Sequence, residues 1–272
     1  MTPLQAVVLA VVQGVTEFVP ISSSAHLILV PFFLKWQDQG LTFDIATHAG
    51  TLLATLLYFR RDVRDLIVGF FTGTPLSEAG DFSPRRLATG IIIGTVPAGI
   101  VGLLIHDWVE HHARNPLLIA GTSIVYGVVL FVADRIGRRS REIGSLGWGA
   151  ALAIGAAQAL ALVPGTSRSG ITITAALLLG FTRPAAARFS FLLSIPVGVL
   201  AVLLDVVDLV RDGATADQLL SMGIGLAVAA VTGYLVIAWL LAWLRRQSLT
   251  AFVIYRIALG LVILATLWLR QG

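Results

Sequence analysis

The sequence predicts an all-α polytopic membrane protein, with six spanning helices and two re-entrant helical hairpins in an inverted-topology repeat. Of its 272 residues, 57% are hydrophobic and 12% charged, whereas soluble domains carry about 25% charged residues. Several apolar runs approach the roughly 20 residues that a spanning helix needs. Two Val-Pro strings rich in hydroxyl side chains interrupt these runs. We expect one integral membrane domain over residues 1–272, with repeats at about 1–134 and 148–272.

Composition also limits the chemistry. The chain has no cysteine, which excludes disulfides, thiolate catalysis and thiolate metal sites. A bound metal would need oxygen ligands from carboxylates, hydroxyls or phosphates, which favours Mg²⁺ or Ca²⁺. The net charge of +4 comes almost wholly from arginine, since Lys35 is the only lysine. In a membrane protein this excess reflects the orientation of the loops, so we expect no nucleic-acid partner.

Hydropathy separates the spanning helices from two leftover regions. The helices are predicted near residues 42–59, 87–106, 116–134, 186–208, 218–244 and 250–269. The leftover regions, about 4–35 and 148–182, each contain one Val-Pro string.

Loop charges give each predicted helix a direction, because loops rich in Lys and Arg face the cytoplasm. The arginines of three such loops are Arg60, Arg61, Arg64, Arg85, Arg86, Arg135, Arg138, Arg139, Arg141, Arg245 and Arg246. The second leftover region lies between cytoplasmic Arg141 and Arg183, and the first precedes a helix that starts outside. Each is therefore predicted to be a re-entrant hairpin, the first entering from outside and the second from inside. Hairpins of this kind are tolerated when they are buried in protein or line a wet cavity.

The two strings match as an internal repeat. Overlaying Val19-Pro20 on Val163-Pro164 places Ser23 over Ser167 and Ser24 over Arg168. Each half then has one hairpin and three spanning helices, and an odd number of crossings inverts one half relative to the other. Inverted repeats place a binding site near the middle of the membrane, at the interface between the halves.

Glu17 is the candidate carboxylate of the first hairpin. It lies one turn after Gln13, so the two side chains share a helical face. A carboxylate inside a membrane costs a few kcal/mol, which indicates a function. Glu17 could bind a divalent cation or act as a general base. A salt bridge that holds the hairpin is the alternative.

Ser22, Ser23 and Ser24 follow Pro20, where a second helix would begin. Hydroxyls and free N–H groups at a helix N-terminus form an anion site, although one serine would also serve as an ordinary N-cap. Ser23 precedes His26 by three residues, so the two can share a face as nucleophile and base.

Arg168 is the candidate anion-binding residue of the second hairpin. It lies between Ser167 and Ser169, and its planar guanidinium suits phosphate oxygens. The alternative partner is Glu17, in an internal ion pair. Thr172 adds a hydroxyl. Gly165 and Gly170 would let the backbone approach a ligand closely.

Two other polar features lie within predicted helices. Asp44 and His48, four residues apart, are expected at the outer end of the same cavity. Arg256 lies inside the last predicted helix, and its sequence neighbours suggest no partner.

These strings resemble motifs of the undecaprenyl-diphosphate phosphatase family of bacterial membranes, also known for bacitracin resistance. Gln13 to Glu17 is similar to the family's (E/Q)xxxE element, Pro20 to His26 to its PxSSxxH element, and Pro164 to Thr172 to its PGxSRSxxT element. Position 13 is Gln where many members carry Glu, and His48 stands where some have Gln. Residues 94–99 and 188–196 extend the resemblance along the chain.

The resemblance implies hydrolysis of the C55 isoprenyl diphosphate to the monophosphate carrier of peptidoglycan synthesis. It also implies a multi-pass protein of the bacterial inner membrane, an active site open to the outer (periplasmic) face, and a divalent cation. Gln13 and Glu17 are the expected cation ligands. A homodimer stays open.

The roles expected at this site combine both lines of reasoning. Arg168 would neutralise charge on the transferring phosphoryl group. Ser23 would be the nucleophile, with His26 as base or leaving-group acid; attack by His26, or by water activated at Glu17, stays open. The expected substrate-binding residues are Gln13, Ser22, Ser24, Ser167, Ser169 and Thr172. The competing function is a transporter or flippase of an anionic isoprenyl phosphate lipid, since broken helices in inverted repeats are typical of transporters.

Overall fold

The computed structural model describes residues 1–73, 83–112, 115–212 and 215–269, and within these ranges the regular elements are helices. Two 3-10 turns, at Ile143–Ser145 and Leu160–Leu162, accompany the α-helices. In order, the α-helices are α1 (Pro3–Thr16), α2 (Ser23–Leu34), α3 (Leu41–Tyr58), α4 (Arg60–Thr72), α5 (Pro84–His112), α6 (Pro116–Ile136), α7 (Trp148–Ala159), α8 (Arg168–Leu178), α9 (Arg183–Asp212), α10 (Ala216–Leu244) and α11 (Thr250–Leu269).

The chain is an all-α, multi-pass membrane protein. In the described ranges, five helical segments are long and apolar enough to span a membrane: Pro84–Leu104, Pro116–Ile136, Arg183–Leu203, Ala216–Leu244 and Thr250–Leu269. They coincide with five of the six predicted spans.

The sixth predicted span, at 42–59, forms helix α3 but is not among these five segments. Asp44, His48 and several threonines interrupt its apolar sequence. The polar side chains that lower the mean hydropathy of α3 are also the ones on this helix that could contact a polar ligand.

Both leftover regions form a pair of short helices around a break. The first helix pair is α1 and α2, which pack against each other across residues 17–22. The second is α7 and α8, which pack across residues 160–167. The breaks lie where the Val-Pro strings predicted them.

The two breaks end in the same unusual backbone conformation. Ser22, the N-cap of α2, has φ 76° and ψ 102°, and Ser167, the N-cap of α8, has φ 71° and ψ 114°. A positive φ is uncommon for a residue other than glycine. The structural counterpart of Ser22 is therefore Ser167, and that of Ser23 is Arg168.

This correspondence corrects the sequence overlay by one residue. The second break has one more residue between its proline and its N-cap, since Ile21 alone separates Pro20 from Ser22. An overlay anchored on the prolines cannot register that insertion.

The halves pack into each other. Helix α1 packs against α10, and α7 packs against α5, so each broken helix contacts a helix from the other half of the chain. Helices α3 and α9 also pack together, next to both breaks. The breaks are thereby held close to each other.

In the described part of the chain, two ion pairs join helices outside the breaks. Buried Asp134 of α6 accepts two hydrogen bonds from the guanidinium of Arg183 and one from the backbone N–H of Leu249. Arg188 of α9 pairs with Asp62 of α4. These contacts fix the helix ends that carry the arginine-rich loops.

Candidate active site

A cavity of about 230 Å³ lies where the two breaks meet α3 and α9. Six of the ten predicted site residues line it, namely Glu17, Ser22, Ser23, Ser24, Ser167 and Arg168. Its other walls are Phe18, His48, Thr51, Leu52, Thr55, Ala161, Ser194, Val197, Gly198, Ala201 and Val202. The hydroxyls and charges cluster at the breaks, while one side of α9 is apolar.

Glu17 and Arg168 form an ion pair across the cavity. The Nη2 of Arg168 donates to Oε1 of Glu17 at 2.9 Å, and both side chains are largely buried. The ion pair that the sequence left open as an alternative is therefore present. It joins the first break to the second.

The other carboxylate oxygen of Glu17 accepts two more hydrogen bonds. Ser23 Oγ donates to Oε2 at 2.6 Å, and Gln13 Nε2 donates to it at 3.0 Å. The Ser23 hydroxyl proton thus points at a carboxylate that can accept it. Glu17 therefore lies within proton-transfer distance of the Ser23 hydroxyl.

His26 faces away from this cluster, which corrects the expected Ser23–His26 pair. Its Nδ1 lies 2.6 Å from the Ser22 carbonyl oxygen, and its Nε2 lies 2.7 Å from the Tyr255 hydroxyl. The ring also stacks on Tyr255 of α11. Because a carbonyl can only accept, Nδ1 donates; when the ring is neutral, Nε2 then accepts from the Tyr255 hydroxyl. Although they lie only three residues apart on α2, the Ser23 side chain faces the cavity and the His26 side chain faces α11.

Ser169 and Thr172 brace the second break and do not line the cavity. Both are fully buried. Ser169 Oγ donates to the Val19 carbonyl at 3.2 Å, so it ties α8 to the first break. The Thr172 hydroxyl lies 2.8 Å from the Arg168 carbonyl and 2.7 Å from the Ser190 hydroxyl. This geometry does not favour the predicted contact of Ser169 and Thr172 with a substrate.

Arg168 has a second anchor on α9. Its Nη1 donates to the Ser190 carbonyl at 3.3 Å. One side of the guanidinium is therefore held by α9 and another by Glu17, which fixes its plane beside the cavity.

Polar residues of α3 and α9 complete the lining, and three of them escaped prediction. Thr51 and Thr55 lie four residues apart on α3, and Ser194 lies on α9. The four-residue spacing that puts both threonines on one face is readable from sequence, but threonine within an apolar helix is common. His48 lines the cavity as expected, and its Nδ1 is 2.8 Å from the Asp44 carbonyl oxygen.

The donor set for a metal is small. Among the described residues, no group of three or more His, Asp or Glu side chains could hold an ion. Among the residues that the structure describes, Glu17 is the carboxylate that lines the cavity, and Gln13 donates its NH₂ to it, while Gln13 Oε1 is buried and has no hydrogen-bond partner. Mg²⁺ is commonly bound by one or two carboxylates together with phosphate oxygens. These residues fit a cation that arrives with a phosphate ligand.

Comparison with known proteins gives one consistent result. A family model described as "Bacitracin resistance protein BacA" matches residues 6–262. The chain is similar to "Undecaprenyl-diphosphatase" of Magnetococcus marinus, at 51% identity over 96% of this chain and 98% of that protein. It is 50% identical to "Undecaprenyl-diphosphatase 2" of Stutzerimonas stutzeri, over 96% and 97% of the two chains. It is 48% identical to "Undecaprenyl-diphosphatase" of Thioalkalivibrio sulfidiphilus, over 97% of this chain and 98% of that protein.

Proposed function

This chain belongs to the bacitracin resistance protein BacA family, and from that membership we infer that it is an undecaprenyl-diphosphatase. It is a membrane phosphatase that hydrolyses undecaprenyl diphosphate to undecaprenyl monophosphate and phosphate, and so returns the lipid carrier to cell-wall synthesis. One structural observation supports this most strongly: a hydroxyl, a carboxylate and a guanidinium meet at one cavity, as Ser23, Glu17 and Arg168.

We propose that Arg168 binds the terminal phosphate. Its guanidinium would turn from Glu17 to the phosphoryl oxygens and stabilise the charge that they carry in the transition state. Ser23 and Arg168 are the first residues of α2 and α8, so two helix N-termini also face the cavity. Free N–H groups at such ends favour an anion.

Ser23 is the proposed nucleophile. Its Oγ bonds to the terminal phosphorus while the bond from that phosphorus to the bridging oxygen breaks. The Ser23 proton passes to Glu17 and then to the departing monophosphate. Water, deprotonated by Glu17, next attacks the phosphoserine, which releases phosphate and restores the Ser23 hydroxyl. The geometry favours Glu17 over His26 as base because Glu17 is the acceptor of the Ser23 hydroxyl.

A divalent cation, Mg²⁺ or Ca²⁺, is proposed to bind together with the diphosphate at Glu17. When bound, it would neutralise charge on the phosphate oxygens. Gln13 would then orient Glu17 and supply its unpartnered Oε1.

The apolar wall of the cavity suits the lipid tail. Val197, Ala201 and Val202 of α9 continue from the polar end of the cavity. The isoprenyl chain would follow these residues while its diphosphate stays at the breaks.

We propose that both broken helix pairs are re-entrant hairpins, that α3 is the sixth span, and that the halves form an inverted repeat. The cavity would open to the outer face of the inner membrane. Its lining on α9 starts at Ser194, about 17 Å along the helix from Arg183 at about 1.5 Å per residue, and the loop charges predict that Arg183 is cytoplasmic.

Phosphate release by the purified protein in detergent tests the function. We expect undecaprenyl diphosphate to yield undecaprenyl monophosphate and phosphate. A pure transporter or flippase would release no phosphate, and that result would overturn the proposal.

A further inference from the structure

Among the residues that the structure describes, Arg256 is a fully buried cation that the proposed reaction does not use. It lies in the middle of α11, and its side chain is 0% exposed. Burying a charge in a membrane protein is costly, so an arginine at this depth is expected to have a task.

The guanidinium of Arg256 donates only to backbone carbonyls among the residues that the structure describes. Nε donates to Ser123 at 3.2 Å, Nη1 to Pro20 at 3.2 Å, and Nη2 to Gly165 at 2.8 Å. A weaker contact joins Nη2 to Thr122 at 3.4 Å. The fork geometry of arginine allows one side chain to hold carbonyls from several segments at once.

Two of these carbonyls are structurally equivalent. Pro20 lies three residues before Ser23, and Gly165 lies three residues before Arg168. Ser23 and Arg168 are counterparts in the two halves, each directly after an N-cap serine of positive φ. The Arg256 side chain therefore donates hydrogen bonds to equivalent backbone carbonyls of the two breaks.

The space around Arg256 is shaped to admit it. A Cβ on Gly170 of α8 would lie 2.8 Å from Arg256 Nη1, and a Cβ on Gly127 of α6 would lie 3.3 Å from Arg256 Cβ. Gly170 was expected to let the backbone approach a ligand. It lets the backbone approach this guanidinium instead.

The neighbouring residue acts on the same hairpin. Tyr255 bonds to Nε2 of His26, whose Nδ1 donates to the Ser22 carbonyl. Two consecutive residues of α11 thus hold the first break: Arg256 bonds to Pro20, and Tyr255 acts through His26 on Ser22, the N-cap of α2.

We propose that Arg256 is a positioning residue that sets the distance between the nucleophile Ser23 and the phosphate-binding Arg168. The inference rests on the proposed function, in which these two residues act on one phosphoryl group. Loss of Arg256 would let the breaks separate. Since the lipid tail binds elsewhere in the cavity, the loss should lower kcat far more than it changes KM.

The test compares Arg256→Met and Arg256→Lys with Arg183→Met, which breaks a buried ion pair away from the cavity. For each purified variant, kcat and KM for undecaprenyl diphosphate and the melting temperature are measured. We expect kcat of Arg256→Met to fall about 100-fold, as a misplacement of about 1 Å can cause. KM should stay within about threefold, because uniform binding is kept. Arg256→Lys, which keeps the charge and part of the donor set, should recover some of the lost rate.

Arg183→Met should lower the melting temperature and keep kcat within about threefold of the wild type. The proposal would be overturned if Arg256→Met kept a wild-type kcat, or if both variants lost kcat in proportion to their loss in melting temperature. If Arg256→Met does not fold, Arg256→Lys and Gly170→Ala are judged by the same kcat criterion. An inactive wild-type protein would contradict the proposed function, whereas an active wild type with an unaffected Arg256 series would contradict only this inference.

Discussion

Glu17 and Arg168 are 151 residues apart in the chain, yet the guanidinium of one donates to the carboxylate of the other at 2.9 Å. Each residue comes from a different helix break. Without substrate they neutralise each other in a largely buried setting, where an unpaired charge would be costly. In the proposed mechanism, a phosphate that enters the cavity competes with Glu17 for Arg168, and the carboxylate is released for chemistry as the phosphate binds.

Replacing Arg168 by Ala should abolish turnover. Loss of one charge-stabilising donor typically costs about 10²–10³-fold in kcat, and this residue is also proposed to bind the ground-state phosphate. Phosphate release should be compared with that of Arg61→Ala, which removes an exposed arginine at the start of α4. Near-normal hydrolysis by folded Arg168→Ala would rule out its role.

Ser23→Ala should lose nearly all activity, whereas Ser24→Ala should keep most of it. Both serines line the cavity, but Ser23 is the one that donates to Glu17. Rapid quenching with labelled substrate, followed by peptide mapping, should find phosphoserine at position 23. A fully active Ser23→Ala would instead favour attack by water.

His26→Asn should retain substantial activity. The imidazole bonds to Ser22 and Tyr255 and not to Ser23, so its loss should loosen the packing of α2 on α11. We expect a lower melting temperature, a fall in kcat of less than about tenfold, and an unchanged pH profile. Tyr255→Phe, which removes one of the two bonds, should show a smaller effect. A loss as large as that of Ser23→Ala would restore His26 as the base.

Chelation should remove activity, and Mg²⁺ or Ca²⁺ should restore it. Gln13→Glu offers a sharper measurement, because a second carboxylate would stand beside Glu17. We expect this variant to need less cation for half-maximal rate, by on the order of tenfold, since ligand charge tunes affinity. Gln13→Ala should need more. If chelators left the rates of the wild type, Gln13→Glu and Gln13→Ala unchanged, the proposed cation would be ruled out.

The absence of cysteine makes the topology directly testable. Single cysteines at Thr2 and Gln37 flank the first broken pair, and cysteines at Ser140 and Thr182 flank the second. An impermeant maleimide applied to whole cells should label the first two positions and spare the others. Labelling of only one position in either pair would show that the pair crosses the membrane, contrary to a re-entrant hairpin.

Sequence reasoning located the breaks because proline and clustered hydroxyls are local signals. The proline of each Val-Pro string and the hydroxyl side chains that follow it mark the breaks in the sequence. Glu17 and Arg168 were also recognisable one by one, since charge within an apolar chain demands a partner. Their mutual pairing was an open alternative, because the sequence does not show how the breaks approach each other.

The orientation of His26 could not be read from its spacing to Ser23. A three-residue separation brings two side chains near the same face, but the imidazole of His26 forms a hydrogen bond with Tyr255, 229 residues away. Arg256 was harder still. Its acceptors are backbone carbonyls, which every residue has, so no side chain in the sequence identifies them.

Ser22 and Ser167 share a sparsely populated backbone conformation of positive φ, which costs an ordinary residue on the order of 1–3 kcal/mol and which glycine adopts more readily. Glycine at either position would give up a hydroxyl: Ser167 Oγ accepts from the Gly170 N–H, and Ser22 lines the cavity. Thermostabilising this enzyme by the usual relief of backbone strain would thus alter the surface that is proposed to receive the phosphate. Its most heat-resistant variants should be sought at the lipid-facing helices, away from these two turns.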